Sequence, residues 1–143
     1  MQQNELEKII TVGDIEKEFN IFNFKVVLRT LTSSEIFDIM KSMSGYDDNA
    51  KIQGIQIKTL ARSIVSINGK PINYVSDDEE EQITISKKNL QNEKIIGKWQ
   101  RSVTDTFYSK YVELLEAQSD FLSQYQDELK KHGAEQSGSS ENK

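Results

Sequence analysis

Residues 28–45 read LRTLTSSEIFDIMKSMSG, and their hydrophobic rhythm changes at Thr32. Before it, apolar residues fall on alternate positions, the spacing of a strand with one buried face. After it, Ile36, Ile39, Met40 and Met43 recur at three and four residues, one face of a helix. The junction Thr32-Ser33-Ser34-Glu35 is a capping box. In that motif the threonine hydroxyl accepts from the Glu35 amide, and the Glu35 carboxylate accepts from the Thr32 amide. Ser44-Gly45 closes the helix, Gly45 supplying a left-handed cap. A helix is therefore expected over 33–43. Ser33, Ser34 and Glu35 cap rather than catalyse, because no base lies nearby in the sequence to activate a serine.

Upstream, Ile15, Lys17, Phe19 and Ile21 alternate with Glu16, Glu18 and Asn20, and Phe24, Val26 and Leu28 alternate with Lys25, Val27 and Arg29. Asn23 suits the left-handed position of a tight turn. The spacing predicts a β-hairpin, 15–22 paired with 24–31. Two strands alone are marginal in water, so one face must lie on helices. Residues 1–13 form a flexible lead-in closed by Gly13.

Downstream, Asp47-Asp48-Asn49 opens a second helix, which Ile52, Ile55, Leu60, Ala61, Ile64 and Ile67 carry over 48–67. Asn68-Gly69 and Pro71 stop it. Gly54 inside this helix costs about 1 kcal/mol against alanine, so it marks a close helix contact. Asp77 through Glu81 are five consecutive acids, read as a solvated loop or a helix N-terminus. They lack the alternate acids, glycine turn and distant glutamate of a calcium loop. Asn89–Lys98 is helical. From Trp99, the residues Val103, Phe107, Tyr111, Leu114, Leu115, Gln118, Leu122, Tyr125 and Leu129 trace a long amphipathic helix over 100–130. At 1.5 Å per residue it is roughly 45 Å long, more than a hairpin and short helices cover. Its distal half, with Phe121, Leu122, Tyr125 and Leu129, needs another surface. Beyond it, residues 131–143 contain Ala134 as their sole aliphatic side chain and are expected to be disordered.

These pieces make an α+β fold: an N-terminal β-hairpin packed on a mainly helical body with a long C-terminal helix. One domain spans 14–130. Residues that are 36% hydrophobic in a chain of 143 suffice for a core without metals or disulfides, and there is no cysteine. The absence of thiols suits an intracellular protein. The net charge is −5 and the basic residues are scattered, which disfavours nucleic acid. The opening MQQNELEKII is polar and acidic, unlike a signal peptide, and no apolar run approaches the ~20 residues of a membrane span.

No catalytic constellation emerges. The single histidine, His132, borders the expected tail, where a triad or metal site could not hold it rigidly. The glycines form no phosphate loop or dinucleotide fingerprint. Neither a cofactor nor a metal is expected, and the protein reads as no enzyme. What remains is an interaction surface. Its candidate residues are Trp99, Phe107, Tyr108, Tyr111, Leu115, Leu122 and Tyr125, meeting either an amphipathic partner helix or a second copy in a homo-oligomer.

The segments FNIFNFKVVLRTLTSSE, LARSIVSINGKPI and IIGKWQRSVTDTFYSKYVELLEAQ, in that order, resemble tail assembly chaperones of long-tailed bacteriophages. The matching pieces are Leu31-Thr32-Ser33-Ser34-Glu35, Ile67-Asn68-Gly69-Lys70-Pro71 and Phe107-Tyr108-Ser109-Lys110-Tyr111. The resemblance covers about residues 15–125. It implies binding to the apolar helices of the tape measure protein, or to another tail protein, in the cytoplasm of the infected bacterial host. A permanent small subunit of the tail or baseplate hub, present in the virion, is the alternative. An inhibitor acting on a host enzyme through the acidic run 77–81 is a third.

Overall fold

The computed structural model describes residues 8–72 and 85–141, with side chains through Lys131. The fold is α+β. Its elements run β1 (Glu16–Ile21), β2 (Phe24–Arg29), α1 (Ser33–Ser42), α2 (Asp48–Ser63), β3 (Ile64–Ile67), α3 (Ile85–Ile96) and α4 (Arg101–Glu141). Residues 8–11 form a helical turn ahead of β1.

The hairpin forms as the alternation predicts, with Glu16 opposite Arg29 and Ile21 opposite Phe24. Phe22 and Asn23 make its two-residue turn with φ of 51° and 67°. Left-handed conformation at both positions gives the turn a twist that matches the strands. Phe19 and Ile21 of β1 and Val26 and Leu28 of β2 face inward.

Thr32 caps α1 as its sequence requires. The Glu35 amide donates to Thr32 Oγ1 at 3.2 Å, and the Thr32 amide donates to Glu35 Oε1 at 3.0 Å. Arg29 at the end of β2 grips the same carboxylate with two bonds, 2.9 and 2.6 Å, fixing the strand-to-helix corner. Only Ile39 and Met43 of the expected inward face are buried; Ile36 and Met40 stay exposed. The covering element is α2, against which Met43 packs at Gly54. A Cβ at Gly54 would meet the thioether end of Met43, so the glycine leaves room for that side chain between the two helices.

The helix expected over 48–67 stops at Ser63. Ile64-Val65-Ser66-Ile67 turns into β3 and pairs antiparallel with β2, giving the sheet order β1-β2-β3. Three of these four residues are β-branched aliphatics, which fit a pleated surface, and the open edge of β2 supplies the ladder. Asn68 at φ 52° and Gly69 at φ 82° turn the chain away from the strand. Helix α3 begins at Ile85, ahead of the expected Asn89. The acidic run 77–81 lies outside the described residues. Helix α4 continues to Glu141, past the boundary drawn at Lys131.

The core lies between the sheet, α2, α3 and the first half of α4. It joins Leu60, Ala61, Ile64, Ile96, Phe107, Tyr111 and Leu114 to the inward residues of the hairpin. Glu93 on α3 accepts from Lys58 at 2.7 Å and lies 3.6 Å from Arg62, bridging α3 to α2.

Candidate interaction surfaces

Helix α4 changes character along its length. Thr104, Phe107, Tyr111 and Leu114 face the core and are buried. One turn on, Gln118 donates to the Gly13 carbonyl at 2.8 Å, and Leu122 lies against Gly13 itself. The Thr30 hydroxyl donates to the same carbonyl at 3.2 Å, so the segment ahead of β1 is fastened to both sheet and helix. Gly13 has φ 83°, a conformation that glycine adopts without penalty. Beyond this point no described residue covers the stripe. Phe121, Tyr125 and Leu129 remain 46%, 40% and 54% exposed. The Phe121 and Tyr125 rings stack with centroids 6.2 Å apart. With Val12, Ile15 and the backbone around Gly13 they line a shallow hollow of about 480 Å³.

The predicted contact residues therefore divide. Phe107 and Tyr111 are core side chains, 3% and 4% exposed, and are corrected from the interaction surface to the interior. Tyr111 is enclosed in the core, and Phe107 meets the surface only at the base of a groove beside Trp99. Burial, reinforced by Tyr108 and Glu35 nearby, pushes the Tyr111 hydroxyl up to about 12. Tyr108 is half-buried and stacks on Tyr111 at 5.8 Å. Leu122 is half-buried on Gly13, whereas Leu115 and Tyr125 are exposed. Trp99 is half-buried, tilted against Phe107 with centroids 4.9 Å apart.

Trp99 belongs to a second surface that the periodicity did not reveal. Phe22 and Phe24 at the hairpin tip, Ile67, Trp99, Val103 and an edge of Phe107 line an open groove of about 490 Å³, with Gln100 its one polar side chain. Phe22 and Phe24 are 56% and 45% exposed. The signal in the sequence was two phenylalanines flanking a turn asparagine, where small polar residues are the norm. A third apolar patch, Ile36, Phe37 and Met40, lies on the outer face of α1.

The part-buried charges Arg29 with Glu35, and Lys58 and Arg62 with Glu93, pair within the fold. Arg29 holds the Glu35 carboxyl below the usual carboxylate range, its hydrogen bond outweighing partial burial. Among the described residues no group of three or more His, Cys, Asp or Glu side chains could hold a metal ion. None of their helices is long and apolar enough to cross a membrane. The side chain of His132 lies outside the described residues. Comparison with family models, with curated proteins and with solved structures gives no match to this chain.

Proposed function

We propose that the protein is a non-enzymatic viral tail assembly chaperone that holds apolar helices of the tape measure protein while the tail forms. The observation that supports this reading is the distal face of α4, which no described residue covers. Phe121, Tyr125 and Leu129 follow one another at four-residue spacing and are all exposed, on a part of the helix beyond the core. Such a stripe suits the anchors of an amphipathic helix laid alongside it. At about 25 cal/mol per Å² of apolar surface, less the cost of association, an interface of a few hundred Å² holds a partner without locking it. Exchangeable binding is what a factor displaced by polymerising tail-tube subunits requires.

The test is co-expression with a candidate tape measure protein, followed by co-purification and mass spectrometry of finished particles. The reading expects a complex that is lost on Phe121→Ser with Tyr125→Ser, and particles without the chain. Stoichiometric presence in finished particles would make it a permanent tail subunit instead.

A further inference from the structure

We propose that Asn68-Gly69 is a modification site, where the Asn68 side-chain amide is lost as ammonia. The isoaspartate that forms there unfastens the hairpin tip from the turn after β3. This chemistry needs no partner and does not rest on the chaperone reading.

Asn68 is a clasp between two strands. The Lys25 amide donates to Asn68 Oδ1 at 2.8 Å, and the Asn68 amide donates to the Lys25 carbonyl at 2.8 Å. One residue thus pairs both backbone groups of Lys25 and carries the β2–β3 pairing one step past Ile67 opposite Val26. The turn it opens is two residues long. Ile67 and Lys70 exchange bonds of 2.8 and 3.1 Å across it, with Asn68 at φ 52° and Gly69 at φ 82° between them. This is the Asn-Gly hairpin turn, in which both central residues are left-handed.

The same turn sets a nucleophile beside an amide. No other asparagine in the chain precedes a glycine. Ring closure joins the Gly69 nitrogen to Asn68 Cγ in a five-membered imide, and an intramolecular attack of this kind draws its speed from proximity. Among the described residues the Gly69 amide donates to no acceptor, so no hydrogen bond has to break to free the nitrogen. Both residues are exposed, and a Cβ on Gly69 would meet nothing within 4 Å. The peptide between them therefore has room to turn toward Cγ. The Lys25 amide already points at Oδ1, the atom on which negative charge gathers as the nitrogen adds. The bond from nitrogen to Cγ forms, the bond from Cγ to Nδ2 breaks, and the proton of the Gly69 amide leaves with the ammonia. Water then opens the imide at either carbonyl. One opening gives aspartate, whose carboxylate still accepts from the Lys25 amide. The other gives isoaspartate, in which the main chain runs through Cγ and is a carbon longer. A two-residue turn with that extra carbon cannot keep both bonds to Lys25.

The full-length chain is held at mildly alkaline pH, digested and mapped by mass spectrometry, with isoaspartate told from aspartate by electron-transfer fragmentation. Asn68 should lose its ammonia and yield both products, faster as pH rises, while Asn20, Asn23, Asn49 and Asn92 stay intact. Asn68→Gln, whose longer side chain closes a larger ring less readily, should release no ammonia over the same period. The isoaspartate form, separated by chromatography, should lose hydrogen-exchange protection at the Lys25 amide about tenfold, as the loss of a hydrogen bond implies. Asn68→Asp should keep that protection. An Asn68 that stays intact in the folded chain, whether or not it reacts in urea, overturns the proposal. So does an isoaspartate form in which the Lys25 amide is as protected as in the unmodified chain.

Discussion

Leu114 and Leu129 lie on one helix and differ in what surrounds them, so alanine at each should have opposite consequences. Leu114 is fully enclosed, at 0% exposure, while Leu129 keeps 54% of its surface in water. Leu114→Ala removes a side chain from a packed core and should cost about 2–5 kcal/mol, a transfer loss plus the cavity left behind. With a urea m-value of about 2 kcal/mol/M, the unfolding midpoint falls by about 1–2.5 M. Complete burial of a leucine is worth about 1.5–3 kcal/mol, so a residue half in water has at most about 1.5 to lose. Alanine's better helix propensity returns a few tenths of that. Leu129→Ala should therefore move the midpoint by no more than about 0.7 M. Binding should sort the other way. Loss of an interface anchor costs about 1–2 kcal/mol, so under the proposed function Leu129→Ala should weaken capture of a tape measure helix about five- to thirtyfold. Urea unfolding followed by far-UV circular dichroism, and titration with a fragment of that partner, read the two effects separately. If Leu129→Ala destabilises as much as Leu114→Ala, the distal face is covered within the monomer and the proposed binding surface does not exist.

Three further outcomes test the framework that carries these surfaces. The charged form of Glu35 favours folding because its carboxyl is held below the usual range by Arg29, so its contribution is complete above the unfolded carboxylate value and is lost as pH falls through the lower folded one. Glu35→Gln should cost about 1 kcal/mol at pH 7, with the difference from wild type closing in acid, as thermal midpoints across pH will report. Tyr111 is neutral in the fold up to about 12. Its unfolded value is about 10, so stability should decline as pH rises between them, and Tyr111→Phe should remove that share of the decline. Gly54→Ala gains about 1 kcal/mol in helix propensity, and the atoms it meets are the flexible thioether end of Met43, which can swing aside at a cost that offsets part of that gain. It should change the wild type by less than about 1 kcal/mol and stabilise a Met43→Ala background by more, a coupling measurable in a double-mutant cycle.

Whether a feature was legible in the sequence depended on whether its causes were local. Thr32 and Glu35 cap each other across three residues, so the chemistry of α1's start is complete in the sequence. The Asn23 turn and the alternation on either side of it are of the same kind. Strand β3 was hidden because Ile64 and Ile67, three apart, continue the helical spacing of α2; the open edge of β2, far away in sequence, decides for a strand. Ile36 and Met40 look as inward-facing as Ile39 and Met43, yet α2 reaches only one of the two rows. The same holds along α4, where Phe107 and Tyr111 share their spacing with Phe121 and Tyr125. Periodicity identifies a face; which stretch of it is covered depends on the size and placement of the rest of the body. The surface on which function is argued is a stretch left over, the distal face of α4. Phe22 shows in the sequence only as an exception to local rules, which place a small polar residue at its position. Its place is set instead by tertiary structure, which brings the exposed ring to the groove lined by Trp99 and Val103, far away in sequence.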